Sequence, residues 1–208
     1  GYVKTVNIDL SVAAIKAFPK RIGVLGDSIS TFSDMIPSGY KAYYPQSSGD
    51  NTDVNDWKKT YWGQLITNFW MGELDVNSSW SGGCVAPGST RTQPAFTVRC
   101  TDFIDPDVIL LFGGTNDCQS GCAVEIGEFD FDTPVGLLNT NARFRESYIA
   151  VIKTIRATYP KAKIICIVGN HIDGAYASSI PTIADHFGIP YVDFRGDKSV
   201  TVYSSLHP

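Results

Sequence analysis

Five short apolar runs, separated by stretches in which apolar residues recur at three- and four-residue steps, constrain this chain more than any other feature. The runs cover residues 21–25, 74–79, 108–112, 163–168 and 190–194, each bounded by Gly, Pro, Asp or Asn. Near-continuous apolar character of that length suits parallel strands buried on both faces. Between them, residues 57–69 and 141–159 predict helices. In the second, Phe144, Tyr148, Val151, Ile152, Ile155 and Tyr159 share one helical face, and Pro160 marks the stop. Residues 92–103 and 176–187 carry a weaker helical signal, the latter interrupted by Pro181 and closed by Gly188. Strand–helix alternation with right-handed crossovers predicts an α/β fold with an open, mostly parallel five-stranded sheet wound on both sides.

No repeat or heptad divides the 208 residues, so the expectation is a single domain over 1–208 with residues 1–20 as an N-terminal arm. The charge sum, 17 − 21 = −4, lacks the Lys/Arg excess that holds a polyphosphate backbone, which excludes nucleic acid as the expected partner. A hydrophobic content of 43% with 18% charged residues lies well away from the composition of disordered chains. The longest apolar runs, 108–112 and 164–168, fall far short of the roughly 20 residues of a membrane span. Five cysteines are an odd count, so at least one thiol is free or pairs with another chain. Cys166 sits inside an apolar run and reads as a small buried hydrophobe. Cys118 and Cys122 flank Gln119-Ser120-Gly121 and form either a local disulfide or two free thiols, with Cys84 a competitor for either. The first residue is Gly1, and Lys4, Asn7, Asp9, Lys16 and Lys20 interrupt any leader pattern. Together with the cysteines this leads us to expect an exported protein, secreted or periplasmic. No feature indicates an oligomeric state.

In a doubly wound sheet, ligands bind outside the carboxyl ends of the strands. The first strand is followed by Gly26-Asp27-Ser28-Ile29-Ser30, the second by Trp80-Ser81-Gly82-Gly83, the third by Gly113-Gly114-Thr115-Asn116-Asp117, and the fourth by Gly169-Asn170-His171. A serine at a strand-to-helix turn presents its hydroxyl outward while its own N–H points toward developing negative charge, and Ser28 fits that role. Gly82 can bring a backbone N–H close to a substrate, and Asn116 offers a side-chain amide from the neighbouring strand end. Each also has a plain structural reading: a βα turn, a loop glycine and an Asx-turn. Of three histidines, His186 lies at a helix C-terminus, where the dipole favours a cation. His171 follows the fourth strand and is the second candidate for a general base. His207, after the extended stretch 199–203, is the first. The α/β-hydrolase elbow Gly-x-Ser-x-Gly is not met, because position 30 is Ser. Walker spacing is missing too, which disfavours a nucleotide binder.

Residues 33–56, with Tyr40, Tyr43 and Tyr44, form a long polar loop leaving the Ser28 turn and are placed to line a substrate pocket. The acids of its 49–53 stretch do not follow the calcium-loop order, and no cofactor motif is present, so neither a metal nor a cofactor is expected. Trp57, Trp62 and Trp70 read as core, while Trp80 is the aromatic placed at the pocket. Asn77-Ser78-Ser79 matches a glycosylation sequon, but its position at a strand end argues for a structural role.

Gly26-Asp27-Ser28, Gly82 within its Asn77–Gly83 context, Gly114-Thr115-Asn116-Asp117 and the closing His207-Pro208 resemble, in order, the four blocks of the SGNH, or GDSL, hydrolases. The resemblance spans about residues 21–208. It implies a flavodoxin-like three-layer α/β/α sandwich and metal-free hydrolysis of carboxylic esters through an acyl-serine intermediate. By that analogy Ser28 is the nucleophile, His207 the general base, and the N–H groups of Ser28 and Gly82 with the Asn116 side chain form the oxyanion hole. The family's last block reads Asp-x-x-His, and this chain has Ser204 in the Asp position. Either a backbone carbonyl or another acid then substitutes, with Asp173, Asp193 and Asp197 as the candidate acids, or turnover is slow. The family continues into a further helix where this sequence stops at Pro208, so that helix is expected to be absent. The polar, Tyr-rich loops suit a small-molecule or glycan ester, such as an acetyl group on carbohydrate. The rival expectation is a catalytically silent glycan- or ligand-binding domain on the same fold.

Overall fold

Strands β1 (Arg21–Gly26), β2 (Glu73–Ser79), β3 (Val108–Phe112), β4 (Lys163–Val168) and β5 (Tyr191–Asp193) form one all-parallel sheet in the order β2-β1-β3-β4-β5. The computed structural model describes residues 21–48, 52–70, 72–87, 90–132 and 143–195. Every residue of β3 is buried, which accounts for its unbroken apolar run: a central strand has no solvent face on which a polar residue could alternate. β5 lies at the sheet edge, is three residues long, and leaves Tyr191 and Val192 exposed. All five strands fall within two residues of the bounds expected from the sequence.

Among the described residues four α-helices accompany the sheet: α1 (Tyr61–Gln64), α2 (Phe96–Arg99), α3 (Phe144–Thr158) and α4 (Gly174–Phe187). α2 and α4 both pack against α3, placing the three side by side on one face. The chain leaves β1 in one direction for β2 and then reverses across β1 to β3, so right-handed crossovers put α1 on the other face. The result is the expected three-layer α/β/α arrangement. α3 buries Phe144, Tyr148, Val151, Ile152 and Ile155, the face its periodicity predicted, and ends at Tyr159. α4 accommodates Pro181 within its length, and Gly188 closes it in the left-handed conformation at φ 61° while the Ile189 N–H reaches back to the Ala184 carbonyl.

Two predicted helices are shorter than expected. Residues 57–69 do not form one helix but a 3-10 turn at Trp57–Lys59, then α1, then π-helical turns over Leu65–Trp70. The break has a local cause, because two caps compete. The Asp56 side chain accepts the Lys58 N–H, and Thr60 Oγ1 then accepts the Gly63 N–H and restarts the helix. Residues 92–103 shrink to the single turn of α2, whose N-cap Ala95 offers no side-chain acceptor. Trp62 is fully buried and stacks on Trp57 with centroids 5.6 Å apart, as core residues would; the side chain of Trp70 lies outside the described residues. Residues 1–20, the extended stretch 199–203, Asp197, Ser204 and His207 also lie outside them.

Candidate active site

Gly26 at the end of β1 pairs with Ser79 at the end of β2 and with Phe112 at the end of β3, so the first three strand exits start from one level at the point where the strand order reverses. From β1 the chain enters a 3-10 turn, Ser28–Ser30, capped by Asp27. Asp27 Oδ1 accepts the Ile29 N–H at 3.0 Å, and its carbonyl accepts the Ser30 N–H at 3.1 Å. Thr31 Oγ1 donates to the Ser28 carbonyl at 2.8 Å. Two side chains from other elements seize the next carbonyl: Trp62 Nε1 at 2.9 Å and Asn77 Nδ2 at 2.8 Å both donate to Ser30 O. Asn77 is thus buried beneath the Ser28 turn, a structural role that leaves no surface amide for a glycan.

The β2 exit is held differently. The Trp80 N–H donates to the Gly26 carbonyl at 3.2 Å, the Ser81 N–H to the Lys41 carbonyl at 2.8 Å, and the Gly83 N–H back to the Trp80 carbonyl at 2.9 Å. Between the last two, Gly82 takes φ +83°, a conformation that an L side chain strains to adopt. From the β3 exit, Asn116 Nδ2 donates to the Gly83 carbonyl at 2.9 Å, and the Asp117 carboxylate accepts the N–H groups of Val85 and Ala86 at 2.9 and 3.0 Å. An amide nitrogen carries two protons, so the bond to Gly83 commits only one of those on Asn116. Ser28, Gly82 and Asn116 are therefore set at three adjacent strand ends, and the Gly82 and Asn116 loops are bonded to each other.

A residue that sequence reasoning missed locks the arrangement. Arg99 of α2 is almost wholly buried and donates through Nη2 to Gly26 O at 3.2 Å, through Nε to Pro94 O at 2.9 Å, and through Nη1 to Ser78 O. Its guanidinium lies over the Phe96 ring, 4.8 Å from the centroid. The signal was present in the sequence: Arg99 stands three residues after Phe96, on the apolar side of the 92–103 stretch, where an unpaired cation has no place unless something inside needs it.

These strand exits carry the blocks of a known family, and the profile of GDSL-like lipase/acylhydrolases matches residues 20–201. The chain belongs to that family. Membership places it among ester hydrolases. A protein from Bacteroides ovatus described as a GDSL-like lipase superposes with a TM-score of 0.78 at 26% identity, covering 91% of this chain and 89% of that one. A second, from Bacteroides uniformis, gives 0.76 at 25%, covering 90% and 89%. A family two carbohydrate esterase from Clostridium thermocellum, solved with cellohexaose, gives 0.56 at 19%, covering 92% of this chain and 59% of that one, a likeness of fold. No curated protein matches by sequence.

The other candidates of this GDSL-like hydrolase are spread out. His171, three residues beyond β4, has its Nε2 buried without a hydrogen-bond partner among the described residues. His186 lies in the last turn of α4, which runs from the β4 exit back to the start of β5, so it sits toward the opposite edge of the sheet. Its ring stacks on Phe131 at 3.7 Å, a packing role. Of the acids considered for orienting His207, Asp193 is engaged by Arg195 at 2.6 Å and Asp173 stands at the N-cap of α4. None of the five cysteines is in a disulfide, so the alternative of two thiols at Cys118 and Cys122 holds and the local disulfide does not. The two turn apart. The Cys118 thiol donates to Thr115 O at 3.3 Å, whereas Cys122 Sγ accepts from Arg91 Nε at 3.1 Å.

Burial dominates the electrostatics. It pushes Asp27 up to about 6 against the pull of the Ile29 N–H and the Arg99 charge. Asp117 is pushed up to about 7 by the same desolvation, aided by the Asp27 charge and opposed by the Val85 and Ala86 N–H groups. Arg99 is lowered to about 10 by burial, with Tyr40, Asp102 and Asp27 acting in the other direction. Beside the Ser28 turn, a cavity of about 270 Å³ is lined by Ile29, Tyr44, Asp53, Val54, Tyr61 and their neighbours, which gives the long polar loop a wall of it. Half-buried Trp80 packs against Tyr40 in a tilted pair with centroids 4.4 Å apart, and the Tyr40 hydroxyl donates to Asp102 Oδ2 at 2.7 Å. Among the described residues no three His, Cys, Asp or Glu side chains gather as a metal site, and no helix is long and apolar enough to cross a membrane.

Proposed function

We propose that this chain hydrolyses small acyl esters through an acyl-serine intermediate on Ser28, with acetyl groups on carbohydrate as the favoured substrate class. The observation that carries the reading is the convergence of the Ser28 turn, Gly82 and Asn116 at three neighbouring strand ends, two of them tied by the Asn116–Gly83 bond. Ser28 Oγ attacks the ester carbonyl as its proton passes to the imidazole of His207. The N–H groups of Ser28 and Gly82 and the second proton of Asn116 Nδ2 stabilise the tetrahedral oxyanion. Collapse expels the alcohol, which takes the proton from the imidazolium. Water then attacks the acyl-serine with the same imidazole as base, releasing the acid and restoring Ser28. The assignment of His207 rests on the family resemblance.

Two features support a carbohydrate ester. The cavity beside Ser28 mixes Tyr44 and Tyr61 with Asp53, Lys59 and Gln64, and Trp80 and Tyr40 offer aromatic faces at the β2 exit. A long acyl chain would favour a more uniformly apolar lining. The test is the initial rate on a nitrophenyl acetate ester for the wild type and Ser28→Ala, with folding of both confirmed by their melting curves. Loss of at least about 10³-fold in the variant is expected. Equal near-background rates would overturn the proposal and leave a ligand-binding domain on the same fold. Among active substrates, acetylated sugars should turn over faster than esters of long-chain acids.

A further inference from the structure

The segment that leads into α2 docks alongside the Gly82 loop. The Phe96 N–H donates to the Cys84 carbonyl at 3.0 Å, and three residues earlier the side chain of Gln93 lies over Gly82. A Cβ added to Gly82 would stand 3.1 Å from Gln93 Nε2 and 3.4 Å from its Cδ, so the carboxamide lies against the backbone from which a glycine N–H is offered. The other end of that carboxamide is unusual. Gln93 Oε1 is buried and has no hydrogen-bond partner among the described residues, although the residue as a whole is only half-buried. A buried, unsatisfied amide oxygen carries a desolvation cost that a merely structural glutamine avoids by turning to a donor. The neighbouring backbone holds the residue there: the carbonyl of Pro94, the next residue, accepts from buried Arg99, which also grips the ends of β1 and β2.

We propose that Gln93 is a substrate-binding residue, its carboxamide donating to an oxygen of the bound ester beside the Gly82 N–H. The inference rests on the reading of Gly82 as an oxyanion donor. An –NH₂ beside Gly82 faces the oxygen-rich end of the scissile group. A half-turn about the last side-chain bond exchanges –NH₂ and C=O, so the same residue can instead accept from a hydroxyl of a sugar alcohol. A glutamate at the position could only accept when ionised, and its charge would oppose the one that develops on the ester oxygen.

The deciding experiment compares wild type, Gln93→Met, Gln93→Glu and Ser28→Ala on nitrophenyl acetate and on an acetylated sugar between pH 5 and 8. Gln93→Met, which keeps the length and removes the polar atoms, should lower kcat/KM about tenfold, the scale of one lost neutral hydrogen bond, with an unchanged melting temperature. Gln93→Glu, whose carboxyl still donates when protonated, should keep more activity than Gln93→Met at the acid end and lose it relative to wild type as pH rises through the titration of the new carboxyl. A packing role would not produce that pH-dependent ratio. Both Gln93 variants within twofold of wild type at every pH, while Ser28→Ala is inactive, would overturn the role of Gln93 and leave the hydrolase reading standing. Full activity in Ser28→Ala would overturn the hydrolase reading itself.

Discussion

The turn that presents Ser28 and the loop that presents Gly82 leave adjacent parallel strands at the same level, yet they are held by opposite means. Between Asp27 and Thr31 the backbone is fixed largely by near neighbours: a cap two residues away, a carbonyl three residues away, and a threonine hydroxyl closing on the Ser28 carbonyl. From Trp80 to Ala86 most partners come from afar, from Gly26, Lys41, Phe96, Asn116 and Asp117. A nucleophile needs one side chain at one spot, and a short turn does that. On the proposed mechanism an oxyanion donor must match a position defined by another strand's nucleophile, which a loop referenced to the neighbouring strands can do.

Replacing Arg99 with Met breaks this contrast most severely. It strips the donor from the Ser78 and Pro94 carbonyls and one of two from Gly26, and at about 1–3 kcal/mol per buried acceptor left unpaired the loss should reach about 4 kcal/mol in a urea unfolding curve. A midpoint within experimental error of wild type would show that the β2 exit does not depend on distant partners. Asn116→Ala separates bonding between loops from catalysis. A kcat on nitrophenyl acetate lower by about 10²-fold, equivalent to about 3 kcal/mol, is expected from an oxyanion donor. A purely structural tie to Gly83 would instead lower the melting temperature and spare kcat.

The smallest effect concerns Asp117. Its folded-state pKa of about 7 lies above the unfolded value of 3.8, so the folded chain binds the proton more tightly. Between those two values the native state holds more protons than the unfolded state, and stability therefore falls as pH rises through the window. Asp117→Asn keeps an acceptor for the Val85 and Ala86 N–H groups and removes the titration. The difference in stability between variant and wild type should grow by on the order of 2 kcal/mol from pH 5 to pH 7. Parallel pH profiles of the urea midpoint for the two proteins would contradict it.

Strand positions were legible because β1, β3 and β4 sit inside the sheet, where burial on both faces demands an unbroken apolar run. The long amphipathic α3 was legible for the matching reason, a single buried face repeated over four turns. Short helices were not. Residues 57–69 carry an apolar pattern suited to one helix, but the caps at Asp56 and Thr60 restart it within four residues, and a period read over a window does not see a cap inside it. Ser28, Gly82 and Asn116 were singled out because topology alone sends strand exits to one edge. Arg99 and Gln93 were passed over because their roles depend on which loop each meets.

The one-dimensional pattern determined that five parallel strands would form and that small polar residues would crowd their carboxyl ends, since burial period and chain direction are local properties of a sequence. It also placed a serine on a capped turn, because Asp27 and Thr31 stand within reach of Ser28 along the chain itself. Only the tertiary structure decided that the Gly82 loop is tied to an asparagine from the β3 exit and packs at Gly83 against a buried guanidinium that holds the ends of β1 and β2. It likewise decided that Asn77 serves the core and that Gln93 lies over Gly82. Those contacts join residues from 11 positions apart, for Gly82–Gln93, to 73 apart, for Gly26–Arg99, and no sequence period records them. Their free energy comes from burying donors and acceptors that satisfy one another across loops, which requires the whole sheet to be in place first.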